Sequence, residues 1–536
     1  MHITRIYIQG FKRFEEFDIT LNSNFNVIVG DNETGKSSLL EAIGLVLTGQ
    51  YQGRVVQYAL DPYLFNASHV AAYFSKQRSG GYAQPPEIVI EAYFEDNAED
   101  HELSRLKGSN NTRGEDCPGL VMKIEVDPVN VELLKEYAAD ESNPEVLPVE
   151  FFRATWRCFS DEAVTLRKLP FRAVTIDANA TKVHRGPNKY LYQVVSDVLS
   201  ERDRRELALQ YKKIRHGFAQ DSRVKAINEH LEQQGNPGTR RKLSLQMDMS
   251  SRASWDSAIT PHLDDLPFDC AGRGEQCRVQ MRLAIAGAES SKVIMIDEPE
   301  NHLSHSNLNA LLADIREDCS DRQVIVTTHS AFVLNKLGIE NLRLVSTSGP
   351  PIALTGLTEE TRRYFMRLPG YDTLRLILAN RAILVEGPSD ELIVQRAYRN
   401  RHAKLPIEDG VDVISVGALA FKRFLEIAVL LNLRVRVVTD NDGDVSALRM
   451  KYLGHIPGSH TGISICYDDD EQTPTLEPQL LKANSLVVLN KIFGTKHGDA
   501  ATLLEYMRRN KTDCALKLYE TTDPWKTPAY IENAVQ

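Results

Sequence analysis

The sequence predicts an α/β protein built from two successive α/β domains, the first of them interrupted by a charged helical insertion. Three observations predict this. The apolar run FNVIV (Phe25 to Val29) ends at a glycine-rich stretch, GDNETGKS, and then at SSLLEAIGLVL, whose apolar residues recur at helical spacing. Two further apolar strands with polar ends, KVIMIDEP (Lys292 to Pro299) and QVIVTTHS (Gln323 to Ser330), appear only after a long charged block. From Arg381 a fresh alternation of strand and helix begins.

Taken in order, Ile6 and Ile8, then Phe17, Ile19 and Leu21, alternate as in half-buried strands around a turn-like QGFKRFEE. EIVIEAYF (Glu87 to Phe94) and Leu120 to Val126 read as further strands. From Asn188 to about Gln234 the pattern is helical and highly charged, and NPGTRRK breaks it. Such a block is either a solvated face or an insertion used for self-association. The second alternation runs through AILVEG, SDELIVQRAY, VDVISVG, a helix to Leu431, and VRVVTDND. The expected boundaries are a first domain at 1–182 and 243–365, an insertion at 183–242, and a second domain at 378–536.

Composition narrows the function classes. The chain has 536 residues, 42% hydrophobic and 25% charged, which excludes a disordered or low-complexity polymer. Its formal net charge of −10 supplies no global field for nucleic acid, so any such contact must be local. Seven scattered cysteines without C-x-x-C spacing argue against a disulfide framework and a zinc site. No signal-peptide pattern is seen in Met1 to Gly10, and the most apolar later stretch, Ile427 to Val438, is interrupted by Asn432, Arg434 and Arg436. A cytoplasmic protein without a membrane segment is expected.

Gly30 to Ser37 fits G-x-x-x-x-G-K-S between a strand and a helix, the setting in which this pattern binds phosphate. Gly30 and Gly35 let backbone N–H groups approach phosphate oxygens, Lys36 brings a charge to the outer phosphates, and Ser37 offers a hydroxyl to Mg²⁺. Asn32 and Ser38 complete the candidate loop for ATP. Asp297, at a strand end, can hold the magnesium ion; Glu298 can polarise a water, and His329 can reach the terminal phosphate. AGRGEQ (Ala271 to Gln276) is a glycine-rich turn opening a helix, which is either an ordinary cap or an anion site built on Gly272, Gly274 and Gln276.

In the second domain Glu386 ends one strand and Asp390 follows four residues later, while TDND places Asp440 and Asp442 at another strand end. Asp390 alone can equally serve a helix N-terminus. Carboxylates gathered at two strand ends repel unless a divalent cation lies among them, and all-oxygen ligands favour Mg²⁺, Mn²⁺ or Ca²⁺ over zinc.

The motif order of the first domain resembles the ABC-type ATPases of the SMC and RecF kind, in which ATP is sandwiched between two copies. That resemblance implies a homodimer or higher homo-oligomer, although the usual signature serine is either replaced by Ala271 or displaced here. The spacing of Glu386 from Asp440 and Asp442 resembles the Toprim domain, a Rossmann-like fold of topoisomerases, primases and nucleases. The whole chain resembles the OLD (overcoming lysogenisation defect) family of nucleases, including the Gabija nuclease subunit and retron-associated relatives. By that resemblance the insertion is a dimerisation element, and Glu386, Asp390, Asp440, Asp442 and Glu477 hold two metal ions. One ion activates water and the other stabilises the leaving oxygen, with Lys511 neutralising transition-state charge. Lys511 is also readable as a generic phosphate contact near Arg508 and Arg509. Asp444 is an outside candidate, and Asp468 to Glu471 reads as a solvated loop.

The expected function is a nucleotide-regulated, metal-dependent DNA endonuclease or nickase in bacterial antiphage defence. The resemblance implies a defence partner such as a UvrD-like helicase or a retron reverse transcriptase with its RNA–DNA hybrid. The alternative is an SMC-like ATP-driven clamp that grips DNA without cutting. A Toprim primase or topoisomerase lacks a strand-passage or zinc module here.

Overall fold

The computed structural model describes residues 2–536 apart from 53, 98–100, 167–168, 170–171, 178–199, 234–244, 246, 248–261, 273, 277, 280, 283–290, 347–348, 369–371, 418–419 and 456–461. Outside them lie NPGTRRK, the start of the charged block, Cys277, and much of the helix expected after Gln276. The chain forms two compact units. One comprises Met1–Phe25 and Ser37–Thr327, the other Asn26–Lys36 and Thr328–Gln536.

In the first unit, antiparallel strands run in the order Phe14–Thr20, Ile3–Phe11, Ile88–Phe94, Cys117–Val126, and Phe152–Cys158 also pairs with Cys117–Val126. Every residue of IVIEAYF is buried, Glu91 included, whose carboxylate accepts from Tyr93 Oη at 2.6 Å and from Thr112 N at 3.0 Å. Three parallel strands, Arg172–Asp177, Ser291–Asp297 and Gln323–Thr327, place Asp177, Asp297 and Thr327 in register at their carboxyl ends. Gln323 joins these to the antiparallel strands: its Nε2 donates to Ile3 O and Asn22 O, both at 2.7 Å, and its Oε1 accepts from Ile3 N at 2.8 Å. A buried amide is tolerated there because its groups are satisfied.

The charged block folds as two helices, Glu201–Gln220 and Ser222–Gln233. Ser200 and Asp203 cap the first reciprocally. Leu209, Ile214, Phe218 and Ile227 remain exposed along the pair.

In the second unit Val27, Ile28 and Val29 pair in parallel with Leu342, Arg343 and Leu344. Further along lies a four-stranded, wholly parallel sheet ordered Val411–Ser415, Arg381–Val385, Arg434–Val438, Ile463–Cys466. The first strand in the chain is central, and successive strands add to either side, so the order reverses between Arg381–Val385 and Arg434–Val438. Such a reversal opens a crevice beyond the carboxyl ends of the two strands. Glu386 and Asp440 follow those strands. Helix Pro388–His402 packs on one face with helices from Leu476 onwards, around Val385, Ile393, Val438, Leu476 and Tyr530. Among the described residues no helix is long and apolar enough to cross a membrane, and six cysteines are free.

Candidate metal centre and phosphate loop

The crevice collects carboxylates from four segments of the second unit. Glu386 lies one residue beyond its strand, and its Oε1 accepts from Thr439 Oγ1 at 2.7 Å and from Asp440 N at 3.1 Å. The two strand ends are thereby tied through one carboxylate oxygen. Asp390 sits in the first turn of helix Pro388–His402, where its Oδ2 accepts from Gly387 N at 3.2 Å. Glu477, 5% exposed on helix Leu476–Ala483, accepts from Thr475 Oγ1 at 2.9 Å and pairs with Lys511 Nζ at 3.0 Å.

Electrostatics mark the centre. Burial, then Glu386, raises the Asp390 carboxyl to about 7, with backbone hydrogen bonds opposing the rise and Glu477 adding to it. Burial, then Glu386, Asp390, Glu477 and Asp442, raises Asp440 to about 8. For Lys511, burial opposes the charge, but Glu477, Asp440 and Asp390 outweigh it and hold the ammonium above its usual value. The centre thus crowds carboxyls whose ionisation burial and their neighbours oppose, with Lys511 offsetting Glu477.

Among the described residues no three Asp, Glu, His or Cys side chains are gathered at metal-ligand spacing. The donor set nonetheless fits a hard divalent cation: every candidate is a carboxylate, and the mutual repulsion that raises Asp390 and Asp440 is what such a cation relieves.

Asp442 is exposed and takes a left-handed conformation, φ +51°. Residues that sequence reasoning passed over hold it there. Asn441, 3% exposed, donates from Nδ2 to Asp468 O at 2.7 Å and Asp470 O at 3.0 Å, and Asp442 N donates to Pro474 O at 3.3 Å. The acidic run read as a solvated loop is therefore anchored. Lys482 pairs with Asp468 and Asp470, and Glu471 Oε1 accepts from Val445 N at 3.1 Å. Asn441 was visible only as the middle of TDND. Asp444 caps helix Val445–Lys451 by accepting from Ala447 N.

Nucleotide-loop residues divide between the units. In the second, Lys36 is 5% exposed and its Nζ donates to Gly30 O at 3.0 Å and Asp31 O at 2.8 Å, so the loop curls around its lysine. Gly35 has φ +94°. A Cβ on Gly30 would lie 2.3 Å from Val345 O, a backbone atom, and 2.6 Å from Thr34 Oγ1. Asn32 is exposed, Ser38 is half-buried, and His329 is exposed one residue before the Ser330 cap of helix Ala331–Leu337.

In the first unit Ser37 Oγ donates to Asp297 Oδ1 at 3.3 Å, and Thr327 Oγ1 donates to the same oxygen. Glu298, at φ +48°, is fixed by Thr327 O on its N–H and by Asn301 Nδ2 at 2.6 Å on its Oε2. Gln276 turns inward, donating to Phe268 O at 2.8 Å and Ala271 O at 2.9 Å. It shapes the glycine-rich turn from within. A Cβ on Gly272 would meet open space, whereas one on Gly274 would lie 2.6 Å from His302 O.

Gly30→Ala is expected to lower ATP affinity by about tenfold or more, because a displaced loop no longer aims its N–H groups. It should also destabilise the fold by roughly 1–3 kcal/mol through overpacking. Titration with a fluorescent ATP analogue and a thermal melt check both; unchanged affinity would remove this loop from the nucleotide site.

A family model described as the RecF/RecN/SMC N terminal domain matches residues 2–348, and one described as the overcoming lysogenization defect protein-like TOPRIM domain matches residues 377–442. Among curated proteins, the DNA replication and repair protein RecF of Actinobacillus pleuropneumoniae serotype 5b is 35% identical over 72 residues, 12% of this chain and 20% of that protein. RecF of Cronobacter sakazakii is 32% identical over 91 residues, 15% and 26% respectively. The chain thus spans only a fifth to a quarter of the length of these relatives. Among solved structures, the Smc head domain with an extended coiled coil bound to the C-terminal domain of ScpA, from Pyrococcus furiosus, gives a TM-score of 0.35 at 14% identity, covering 68% of this chain and 99% of that one. The SMC head domain from Thermotoga maritima gives 0.30 at 15% identity, covering 66% and 100%.

Proposed function

Because this chain belongs to the RecF/RecN/SMC N-terminal-domain family and carries an OLD-like Toprim domain behind it, the arrangement of OLD-family ATPase–Toprim nucleases, we propose that it is a nucleotide-regulated, divalent-metal-dependent DNA endonuclease or nickase. The observation that carries the reading is the all-carboxylate centre at the strand-order reversal, with Asp390 and Asp440 pushed up to about 7 and about 8 and Lys511 on its rim. A surface that only gripped DNA would gain nothing from carboxylates, which repel phosphate.

Bound Mg²⁺ or Mn²⁺ supplies a Lewis acid that makes water nucleophilic near neutral pH and stabilises charge on phosphodiester oxygens. The residues to hold it are Glu386, Asp390, Asp440, Asp442 and Glu477. Glu386 is pre-oriented by Thr439 and the Asp440 amide, which lowers the cost of ordering the set. Lys511 would lend positive charge to a phosphate oxygen, a role supported by the nearby carboxylates, Glu477 first, that keep its ammonium charged.

Lys36, Ser37 and Asp297 are the groups for ATP and its magnesium, with Glu298 and His329 at the terminal phosphate. Gly272, Gly274 and Gln276 form the turn that a second copy's nucleotide would face. The apolar residues exposed on the two charged helices, Leu209, Ile214, Phe218 and Ile227, support self-association through the insertion. An antiphage role, with a UvrD-like helicase or a retron reverse transcriptase as partner, belongs to the same reading and is checked by genomic neighbourhood.

Supercoiled plasmid incubated with the protein and Mg²⁺ or Mn²⁺ is expected to become nicked or linear, and EDTA to stop the reaction. Parallel reactions with ATP, ADP or no nucleotide show whether the nucleotide drives or restrains cutting. Metal-dependent DNA binding with no cleavage of duplex, single strand or RNA would instead make the chain a clamp.

A further inference from the structure

The last helix, Ala529–Ala534, lies beyond every motif that the reaction uses. It carries Tyr530, 4% exposed, whose hydroxyl has no hydrogen-bond partner. The ring is packed in the core that also contains Val385, Val438 and Leu476, which lie one or two residues along the chain from Glu386, Asp440 and Glu477. The helix is latched in place from two sides: Arg436 Nη1 donates to Ala534 O at 2.9 Å, and His402 Nε2 lies 2.8 Å from Val535 O.

A buried hydroxyl left unpaired costs roughly 1–3 kcal/mol, a cost that a hydrogen bond to a nearby acceptor would remove. Phenylalanine would fill the same space without that cost. Burial and then Asp440, Asp390 and Glu386 all oppose ionisation of the phenol, which stays a neutral donor in their vicinity.

We propose that Tyr530 is a positioning residue of the Toprim metal centre, its hydroxyl donating to a carboxylate of the Glu386, Asp390 and Asp440 set when a divalent cation draws that set together. The assignment rests on the Toprim centre being a metal site. A donor behind a ligating carboxylate fixes which oxygen faces the cation, and loss of such outer contacts typically weakens binding by about 10- to 100-fold.

The test is Mn²⁺ affinity of the full chain, measured by calorimetry without DNA or nucleotide, for wild type, Tyr530→Phe and Asp440→Asn. Tyr530→Phe is expected to fold with an unchanged or higher melting temperature and to bind Mn²⁺ at least about tenfold more weakly, with the half-saturating metal concentration for plasmid cutting shifted in parallel. Equal affinity and equal half-saturation in a folded Tyr530→Phe overturn the assignment while leaving the metal centre intact. If the wild type shows no Mn²⁺ binding that depends on Asp440, the nuclease reading fails first. The wild type gives a second readout that needs no substitution: saturating Mg²⁺ should perturb tyrosine ultraviolet absorption. A flat difference spectrum there overturns the assignment whether or not the variant folds.

Discussion

Replacing Asp440 by asparagine is expected to stabilise the metal-free protein at pH 8 to 9 while lowering metal-dependent DNA cutting by roughly 100-fold or more. Both effects come from one carboxyl. In the folded chain Asp440 titrates at about 8, whereas an unfolded aspartate titrates near 4. Between those values the folded state holds a proton that the unfolded state has lost, so stability falls as pH rises from about 4 to about 8. Asparagine cannot ionise and removes this slope. The gain is greatest above pH 8 and vanishes below about pH 4, where both states are protonated. A gain of about 1 kcal/mol corresponds to a melting shift of roughly 2–4 °C in a unit of this size. Melting curves of wild type and Asp440→Asn in EDTA between pH 4 and 9 check it; parallel curves would mean that Asp440 is not under strain from its neighbours.

Metal affinity is expected to rise with pH through the same groups. With carboxyls raised to about 7 and about 8, Asp390 is about half protonated and Asp440 largely protonated at pH 7 without metal, and a cation must displace those protons. Binding then strengthens up to about tenfold per pH unit for each proton displaced and levels off above pH 8. Calorimetry of Mn²⁺ binding at pH 7, in buffers of differing ionisation enthalpy, counts the protons directly. Between one and two are expected. Release of none would show that the cation binds elsewhere. Cutting should follow the same profile, rising from pH 6 to 8.

Much of the arrangement is legible in the sequence because it is carried by local patterns. The strand, glycine-rich loop and lysine from Phe25 to Ser37 appear as read, as do the second-domain strands ending before Glu386 and Asp440. What stayed hidden depends on partners distant in the chain. Thr439 gains its importance from Glu386, 53 residues away, and Asn441 from backbone carbonyls 27 and 29 residues on. Neither has a signature beyond being polar at a strand end. Gln276 looked like a nucleotide contact by its place in AGRGEQ, yet its amide is used within the turn itself. Tyr530 was unreadable for a different reason: an aromatic residue among apolar ones signals packing, and only the folded core gathers it with residues from eight other elements.

The carboxylates at the two strand ends, Glu386 with Asp390 and Asp440 with Asp442, are proposed to hold the cations that cut DNA. Plasmid cleavage in Mg²⁺ or Mn²⁺ by wild type, Asp440→Ala and Asp442→Ala, each shown folded and able to bind ATP, tests this most directly. The wild type should nick or linearise the plasmid, and both variants should leave it supercoiled over the same period. Cutting by both variants at the wild-type rate would contradict the claim.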